Sequence, residues 1–148
     1  MIGAETRVET DVDAADAIDE AVRDALMDAA TAGFNRSQEV VAAEATDTGQ
    51  LLRSGAPPAP RADGSVVWGY AASYAPFVDK GTRPHMPPVD ALRGWARRVL
   101  GDEDLAWPVA LSIKREGTEP VNFIRDGIDA TKAWFDAHGI SGKISEKL

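Results

Sequence analysis

The chain lacks cysteine, and its 148 residues include only two histidines. The absence of thiols excludes disulfides, thiolate nucleophiles and cysteine-based zinc sites. His85 and His138 are far apart in the sequence, and the His-X-X-X-His spacing of a helical metal site is absent. We therefore predict no bound metal and no cofactor. Stability must come from packing or from partners.

Long apolar runs and an excess of basic residues are also missing. No stretch approaches the roughly 20 consecutive apolar residues of a membrane-spanning helix, and the acidic residues 1–19 do not resemble a signal peptide. We expect a soluble protein that has no membrane partner and is not secreted by that route. The formal charge of -8 and a pI near 4.7 argue against sequence-specific DNA binding, which draws affinity from clustered Lys and Arg.

The composition of the charged residues suggests a high-salt environment. Asp outnumbers Glu by 15 to 9, Arg outnumbers Lys by 11 to 5, and alanine is abundant. One interpretation is a haloarchaeal host or its virus; the alternative is an ordinary acidic soluble protein. Equal folding in low and in multimolar salt would remove the halophilic interpretation.

Hydrophobic periodicity divides the first third of the chain into two elements. Apolar or β-branched residues alternate with charged residues over 2–10, which predicts a half-buried strand. Asp13 then offers an N-cap, and the spacing of Ile18, Val22 and Leu26 predicts a long helix over about 14–45. Gly33 either bends this helix or allows another element to pack closely.

Prolines and glycines punctuate the middle of the chain. Residues 50–54 fit a short turn or a continuation of the helix, and the proline-rich residues 55–64 predict an extended, mobile or partner-ordered loop. We expect antiparallel strands over 65–70 and 72–78, the second restricted by Pro76 to an edge or an end. A second extended loop follows over about 79–88.

Helical spacing returns in the last third. One apolar face predicts a helix from Pro88 to Leu100, a second helix runs from about Glu103 to Gly117, and a last helix ends at Gly139 before a polar tail, 139–148. The inward residues are listed here: Val89, Leu92, Trp95, Ala96 and Val99 in the first helix, and Leu105, Val109, Ala110 and Ile113 in the second. We predict one α+β domain over 1–148, with a long N-terminal helix, a small antiparallel β-sheet and two to three further helices packed on it.

Three short motifs occur in a characteristic order along the chain. They are Asp47-Thr48-Gly49 with Leu51, Leu52, Arg53 and Ser54; Tyr74-Ala75-Pro76-Phe77 with Gly81-Thr82 and Arg83-Pro84-His85 before Pro87-Pro88; and Pro120, Phe123 and Arg125. In this order and spacing the chain resembles the HK97 gp10-like family of tailed-virus neck and tail-completion proteins over roughly residues 14–134. It departs from the family in the mixed pair Asp79-Lys80 and in the extension after Phe135.

The resemblance implies a structural virion protein without enzymatic activity. Such a subunit forms a homo-oligomeric ring in the neck, between the head connector (portal and head-closure proteins) and the tail tube or tail terminator. Genome DNA passes through the lumen without sequence-specific binding, and an acidic balance suits that passage. The implied location is the head-tail junction of the virion, with the host cytoplasm as the place of assembly. A head-closure or tail-terminator ring is the alternative within the same class.

Within that resemblance we predict a subunit interface built from stiff proline-rich arms and aromatic anchors, because aromatic and Met side chains are enriched at interface cores. The predicted interface residues are Pro57, Pro58, Tyr74, Pro76, Phe77, Thr82, Arg83, Pro84, His85, Met86 and Arg97. Tyr74 and Phe77 fit equally well in the subunit's own core. Gly49 and Gly81 are expected to permit positive φ in turns.

Two other functions remain open from the residues alone. Arg93, Arg97 and Arg98 lie on one helix, where they fit DNA, an acidic partner or salt bridges to acids of a neighbouring subunit. A small intracellular enzyme or regulator is the alternative of another class, with Ser73, Asp79 and His85 as its conceivable catalytic group. No P-loop, nucleophile elbow or Rossmann glycine pattern supports it.

Overall fold

Helices make up most of the chain in the computed structural model, which describes residues 2–139, with side chains from Ala14 onward. The helices are α1 (Ile2–Glu44), α2 (Gln50–Arg53), α3 (Ala75–Lys80), α4 (Val89–Trp95), α5 (Ala106–Glu116) and α6 (Phe123–His138). A π-helical turn, Ala96–Leu100, follows α4, and a 3₁₀ turn, Glu103–Leu105, precedes α5. The predicted polar tail lies outside the described residues, except for Gly139.

Two strands form the antiparallel sheet, β1 (Gly55–Pro60) and β2 (Val66–Tyr70). The α+β class, the long N-terminal helix and the small sheet are therefore confirmed. At the tip of the hairpin, the carboxylate of Asp63 accepts a hydrogen bond from the amide of Ser65 at 2.9 Å, and Gly64 has φ 89°. This is the Asx-type turn that joins short antiparallel strands.

Three secondary-structure predictions are wrong. Residues 2–10 belong to α1 and not to a strand, and the predicted strand over 72–78 is replaced by α3. Pro76 occupies the first turn of α3, where its fixed φ and missing N–H are compatible with a helix. The segment predicted as a loop, 55–64, begins with β1, whose three prolines are tolerated because β1 pairs with β2 alone.

The described residues divide into two compact units. The first unit comprises residues 2–36, 57–69 and 127–139, and the second comprises residues 37–56 and 70–126. Both units draw on α1 and α6, since those helices contribute residues to each.

The first unit is organised by small residues on α1. Ala21, Ala25 and Ala29 are fully buried at a spacing of four, and this stripe continues to Gly33. A Cβ on Gly33 would lie 2.6 Å from the carbonyl oxygen of Gly127 on α6 and would also clash with the hydroxyl of Thr131. Gly33 is therefore a packing glycine, as one of the two interpretations predicted, and the two helices cross where neither has a side chain.

The second unit has a core that joins distant parts of the sequence. Val40, Val41, Leu51, Ala75 and Phe123 are buried together. The ring of Tyr70 meets that of Phe123 edge to face at 4.9 Å, and its hydroxyl lies 2.8 Å from the buried hydroxyl of Ser37. Burial raises the pKa of Tyr70, so its hydroxyl stays neutral over the physiological range.

Candidate interaction surface

Each of the three motif segments contributes one residue to the core of the second unit. Leu51 comes from the first motif, Ala75 from the second and Phe123 from the third, and all three are at most 6% exposed. Segments separated by more than 70 residues of sequence are thus packed together. Each motif therefore supplies a residue that builds this core.

Helix α3 separates buried from exposed residues of the second motif. Ala75 and Asp79 are one helical turn apart and face the interior, while Val78 is half-buried. Phe77 points away from the core and is 63% exposed. Of the two aromatic residues, Tyr74 packs against the core and Phe77 lies on the surface. The core interpretation offered for this pair therefore holds for Tyr74 and not for Phe77, and the interface interpretation stays a prediction.

Asp79 supports the start of α6 from outside that helix. Its carboxylate accepts a hydrogen bond from the amide of Ile124 at 3.0 Å, and its backbone carbonyl accepts one from Asn122 at 2.9 Å. Asn122 has φ 60°, the positive value that Asn tolerates better than most residues. Because the first amides of a helix have no partner within it, the buried Asp79 acts as a cap supplied by another element.

Replacing Asp79 with Ala is expected to lower the free energy of unfolding by about 2 kcal/mol, since the change removes a cap and leaves a partly buried amide without an acceptor. Asp79→Asn is the matched control because it keeps an oxygen acceptor at the same position, so its loss should be smaller. Urea unfolding followed by circular dichroism measures both. Equal losses would show that the charge, and not the acceptor, stabilises the helix start.

The loop over 79–88 is fastened to the segment before α6 by an isolated bridge. Thr82 and Thr118 exchange two backbone hydrogen bonds, at 3.1 and 3.2 Å, and their hydroxyls lie 2.9 Å apart. Gly81 (φ 71°) and Gly117 (φ 76°) flank this bridge, and a Cβ on either would clash with the carbonyl oxygen of the facing threonine. Glycine is required there for both backbone conformation and space.

The residues after the bridge are exposed. Arg83, Pro84, His85 and Met86 all lie on the surface. The backbone amide of His85 donates to the carbonyl of Ile113 at 3.3 Å, and its ring Nδ1 lies 2.8 Å from the carbonyl of Arg83. The loop is thus tied to α5 while its side chains face solvent.

Three adjoining cavities form a trough in the second unit. The first, of about 560 Å³, and the second, of about 530 Å³, share Glu44, Tyr74, Val78, Trp95 and Val121 in their walls. The second and third, of about 550 Å³, share Phe77, Thr82 and His85. We call this continuous surface the trough. Five predicted interface residues line it: Tyr74, Phe77, Thr82, Arg83 and His85.

The arginines of the α4 region pair with acids of their own chain. Arg98 binds Asp47 with two parallel hydrogen bonds, from Nε at 2.8 Å and Nη2 at 2.6 Å. Arg97 binds Glu103 at 2.9 Å. Arg93 lies 3.2 Å from Asp90. Salt bridges were one of the options for this cluster, but the partners are intramolecular rather than on a neighbouring subunit.

The Asp47–Arg98 pair fixes the loop after α1 to the π-helical turn. The hydrogen bond from Arg98 lowers the pKa of Asp47, so the folded state holds this proton less tightly than the unfolded chain. The stabilisation is therefore present above the unfolded-state pKa of about 4 and is lost as the pH falls through the lower folded-state value. We expect Asp47→Asn to flatten the acid limb of a plot of unfolding midpoint against pH. Adding Arg98→Gln to this variant should change that limb no further; an additional change would mean that the two residues act independently.

The remaining predicted interface residues lie outside the trough. Pro57 and Pro58 belong to β1, where Pro57 is exposed and Pro58 half-buried, and Pro76 is exposed at the start of α3. Arg97 is exposed while it pairs with Glu103. The structure does not bring Pro57 and Pro58 into the unit that contains the others.

A second exposed apolar surface was missed by the sequence reasoning. Trp107 (54% exposed) and Leu111 project from α5, and Val99, Leu100 and Leu105 are exposed nearby in sequence. Val99 and Leu105 were predicted to face inward. The spacing of four between Trp107 and Leu111 was the available signal, since it places both on one face of α5, a different face from that of the buried Ala106 and Ala110.

The conceivable catalytic group is not assembled. Asp79 directs its carboxylate to the amide of Ile124, and the ring Nδ1 of His85 lies 2.8 Å from the backbone carbonyl of Arg83. Across residues 14–139, no three His or acidic side chains are grouped to hold a metal. Among the described helices, none combines the length and apolar character needed to cross a bilayer.

Comparison with known proteins returned no match: no family model, no curated protein and no solved structure resembles the chain significantly.

Proposed function

We propose that this chain is a structural virion protein that forms a homo-oligomeric ring in the neck of a tailed virus, joining tail to head and leaving a channel for DNA. Its partners are copies of itself, the head connector and the tail tube or terminator. It acts at the head-tail junction after assembly in the host cytoplasm, and it has no enzymatic role.

The observation that carries this proposal is the meeting of the three motif segments in one core. Leu51, Ala75 and Phe123 each belong to one of the three motifs that carry the resemblance. They lie far apart in the sequence and are buried in the same core. Chance similarity in three short segments gives no reason for them to pack together. A shared fold does, because the residues that build a core are those on which the fold depends.

The surface of the second unit fits a protein that works through contacts. Phe77 and Trp107 are large apolar side chains that are more than half exposed, and such side chains at the surface mark protein interfaces when they cluster. The prolines around them restrict the loops before any partner arrives, which reduces the entropy lost on docking. Subunit contacts through Phe77 and the loop over 79–88 follow from this arrangement.

The charge of the chain is concentrated on α1. Helix α1 contains eleven acidic and three basic residues, so it accounts for the whole formal charge of -8, and the rest of the sequence is neutral. A lumen that transmits DNA must repel phosphates rather than bind them. In a ring of such subunits, α1 is the element suited to line the channel.

Cryo-electron microscopy of purified particles, focused on the head-tail junction, tests the proposal. The expected result is a ring at the neck in which this chain can be traced, with Trp95 and Trp107 as markers for α4 and α5 and with loops 79–88 contacting neighbouring subunits. Absence of the chain from intact particles would contradict it and would favour an assembly factor or a cellular protein.

A further inference from the structure

Three aromatic side chains line the middle of the trough. Tyr74, Phe77 and Trp95 belong to the second cavity, which shares residues with both of the others. Tyr74 and Trp95 are half-buried and Phe77 is exposed, so each ring keeps surface for a ligand. Aromatic-lined grooves of this kind bind proline-rich segments in the polyproline II conformation. The Tyr hydroxyl and the Trp indole can donate to the carbonyls of such a segment, which has no internal hydrogen bonds.

Two carboxylates line the same cavity as the rings. Glu44 and Glu119 are both exposed, and among the side chains that the structure describes no cation forms a salt bridge with either. The first cavity contains the satisfied pair Asp47–Arg98, and Arg83 lines the third, so the attraction for a cation is strongest in the second. A ligand that matches this part of the trough therefore combines prolines with a positive side chain.

The chain itself contains a segment of this kind. Residues 56–61 read Ala-Pro-Pro-Ala-Pro-Arg, in which an alanine-proline pair is repeated at an interval of three. Exposure along β1 follows the same interval, because Gly55 and Pro58 are half-buried and the other four residues are exposed. Side chains of a regular strand alternate with a period of two, whereas polyproline II has three residues per turn. Pro57 and Pro60 therefore share one exposed side of the segment.

A positive charge follows directly after the last proline. Arg61 is exposed, and its backbone is fixed at the hairpin turn, where its amide donates to the carbonyl of Ser65 at 2.8 Å and its carbonyl accepts from Gly64 at 3.1 Å. Its guanidinium forms no salt bridge with any carboxylate among the described side chains. The segment thus offers prolines and an unpaired cation, and the trough offers rings and unpaired carboxylates.

We propose that the trough of one copy binds residues 56–61 of a second copy, with the prolines against the three rings and Arg61 facing the two carboxylates. Such a contact joins two different surfaces of identical chains, and heterologous contacts of this type can close into rings. The prolines restrict the segment before it docks, so little conformational entropy is lost. The inference rests on the proposed function in taking a second copy as the partner, and it names one contact between ring subunits.

A synthetic peptide of residues 55–62 tests the trough. The receptor is the full chain with Pro60→Ser and Arg61→Ser, which we call the segment variant; both positions are exposed, so the trough is kept while the chain's own segment is disabled. The indole signals of the isotope-labelled segment variant are followed by NMR as the peptide is added. We expect the Trp95 signal to shift to saturation, while that of Trp107, which does not line the trough, stays in place.

Altered peptides make the result specific without any further change to the protein. A peptide with Pro57→Ala and Pro60→Ala, and another with Arg61→Glu, should each bind at least about tenfold more weakly than the original. The proposal would be overturned if Trp95 did not respond, if Trp107 responded equally, or if all three peptides bound with the same affinity.

A complementary variant tests whether a second copy supplies the segment. Glu44→Arg, the trough variant, keeps the segment and disables the trough. Adding the unlabelled trough variant to the labelled segment variant should shift the Trp95 signal. With the labels exchanged, Trp95 of the trough variant should stay in place, and circular dichroism of each variant alone verifies its fold. If the segment variant bound the peptide but not the trough variant, a second copy would be excluded as the partner.

Failure of this inference is distinguishable from failure of the neck function. The titrations use chains in solution, so docking of the segment in chains that are absent from virions would contradict only the neck function. A traced ring at the neck in which the trough is empty would contradict only the docking.

Discussion

Replacing Gly33 with Ala should lower the free energy of unfolding by about 2 kcal/mol or more, although the same change in most helices is favourable. Alanine improves helix propensity by about 1 kcal/mol. Against this, the new Cβ would lie 2.6 Å from the carbonyl oxygen of Gly127, and overpacking of a tight contact costs about 1–3 kcal/mol or more. A backbone carbonyl inside a helix cannot rotate away, so the steric cost exceeds the gain.

Gly69→Ala is the matched control for this prediction. Gly69 lies in β2 with no positive φ, and an added Cβ would meet no atom within 4 Å. Its substitution should be neutral or slightly stabilising. Thr131→Ala should rescue Gly33→Ala only in part, because it removes the hydroxyl clash and leaves the clash with Gly127. Urea unfolding of the original protein, Gly33→Ala, Gly69→Ala and the double variant Gly33→Ala with Thr131→Ala measures these effects. A Gly33→Ala protein as stable as Gly69→Ala would exclude close packing of α1 against α6.

The sequence predicted where the long helix and the last three helices end, because the signals for those ends are local. The long helix ends at Glu44, as expected from the turn residues that follow. The π-helical turn after α4, helix α5 and helix α6 end at Leu100, Glu116 and His138, next to the predicted ends. Positive φ at Gly49 and Gly81 was also predicted and is confirmed. In each case a few neighbouring residues determine the outcome, so no knowledge of tertiary contacts was needed.

The wrong predictions concern segments whose state depends on distant partners. The alternating residues 2–10 fit either a strand or a helix, and a strand requires a neighbour to pair with, whereas the sheet of the described residues contains β1 and β2 alone. Pro76 was interpreted as a limit on a strand when it begins a helix. Proline excludes a central strand but permits both a helix start and a two-stranded sheet, so its presence does not choose between them.

The exposure of Val99 has a different cause. Its spacing of four from Trp95 places both residues on one face of an α-helix. The turn Ala96–Leu100 is π-helical, with wider winding, so the phase established by Val89, Leu92 and Trp95 does not continue through it. Sequence periodicity assumes a constant winding, and a π-turn breaks that assumption without a local residue signal.

The sequence indicated several residues of the candidate surface but not the trough that they line. Phe77, Arg83 and His85 are exposed as an interface requires. The trough that they line also needs Glu44, Val78 and Val121, which the sequence analysis did not assign to a surface. A concave surface is formed where three segments meet. Its lining therefore becomes visible only when the fold brings residues 44, 78 and 121 together.

Substitution by alanine should destabilise the protein strongly at Phe123 and hardly at all at Phe77, the two phenylalanines of the second unit. Phe123 is 1% exposed and packs against Tyr70, so Phe123→Ala is expected to cost about 3–5 kcal/mol of stability, a large part of the total for a small domain. Phe77 is 63% exposed, so Phe77→Ala should change stability by less than about 0.5 kcal/mol. Urea unfolding of both variants provides the comparison.

For assembly into the proposed ring, we expect Phe77 to matter although its substitution hardly changes stability. An exposed aromatic anchor at an interface contributes about 2 kcal/mol or more, so Phe77→Ala should weaken incorporation into particles by more than about tenfold at unchanged stability. The assay supplies purified variants to particles assembled without this chain and counts heads joined to tails. A folded Phe77→Ala protein that joins heads to tails as efficiently as the original would remove Phe77 from the interface. Loss of stability equal to that of Phe123→Ala would instead place Phe77 in the subunit's own core, since only a buried ring leaves a costly cavity when it is removed.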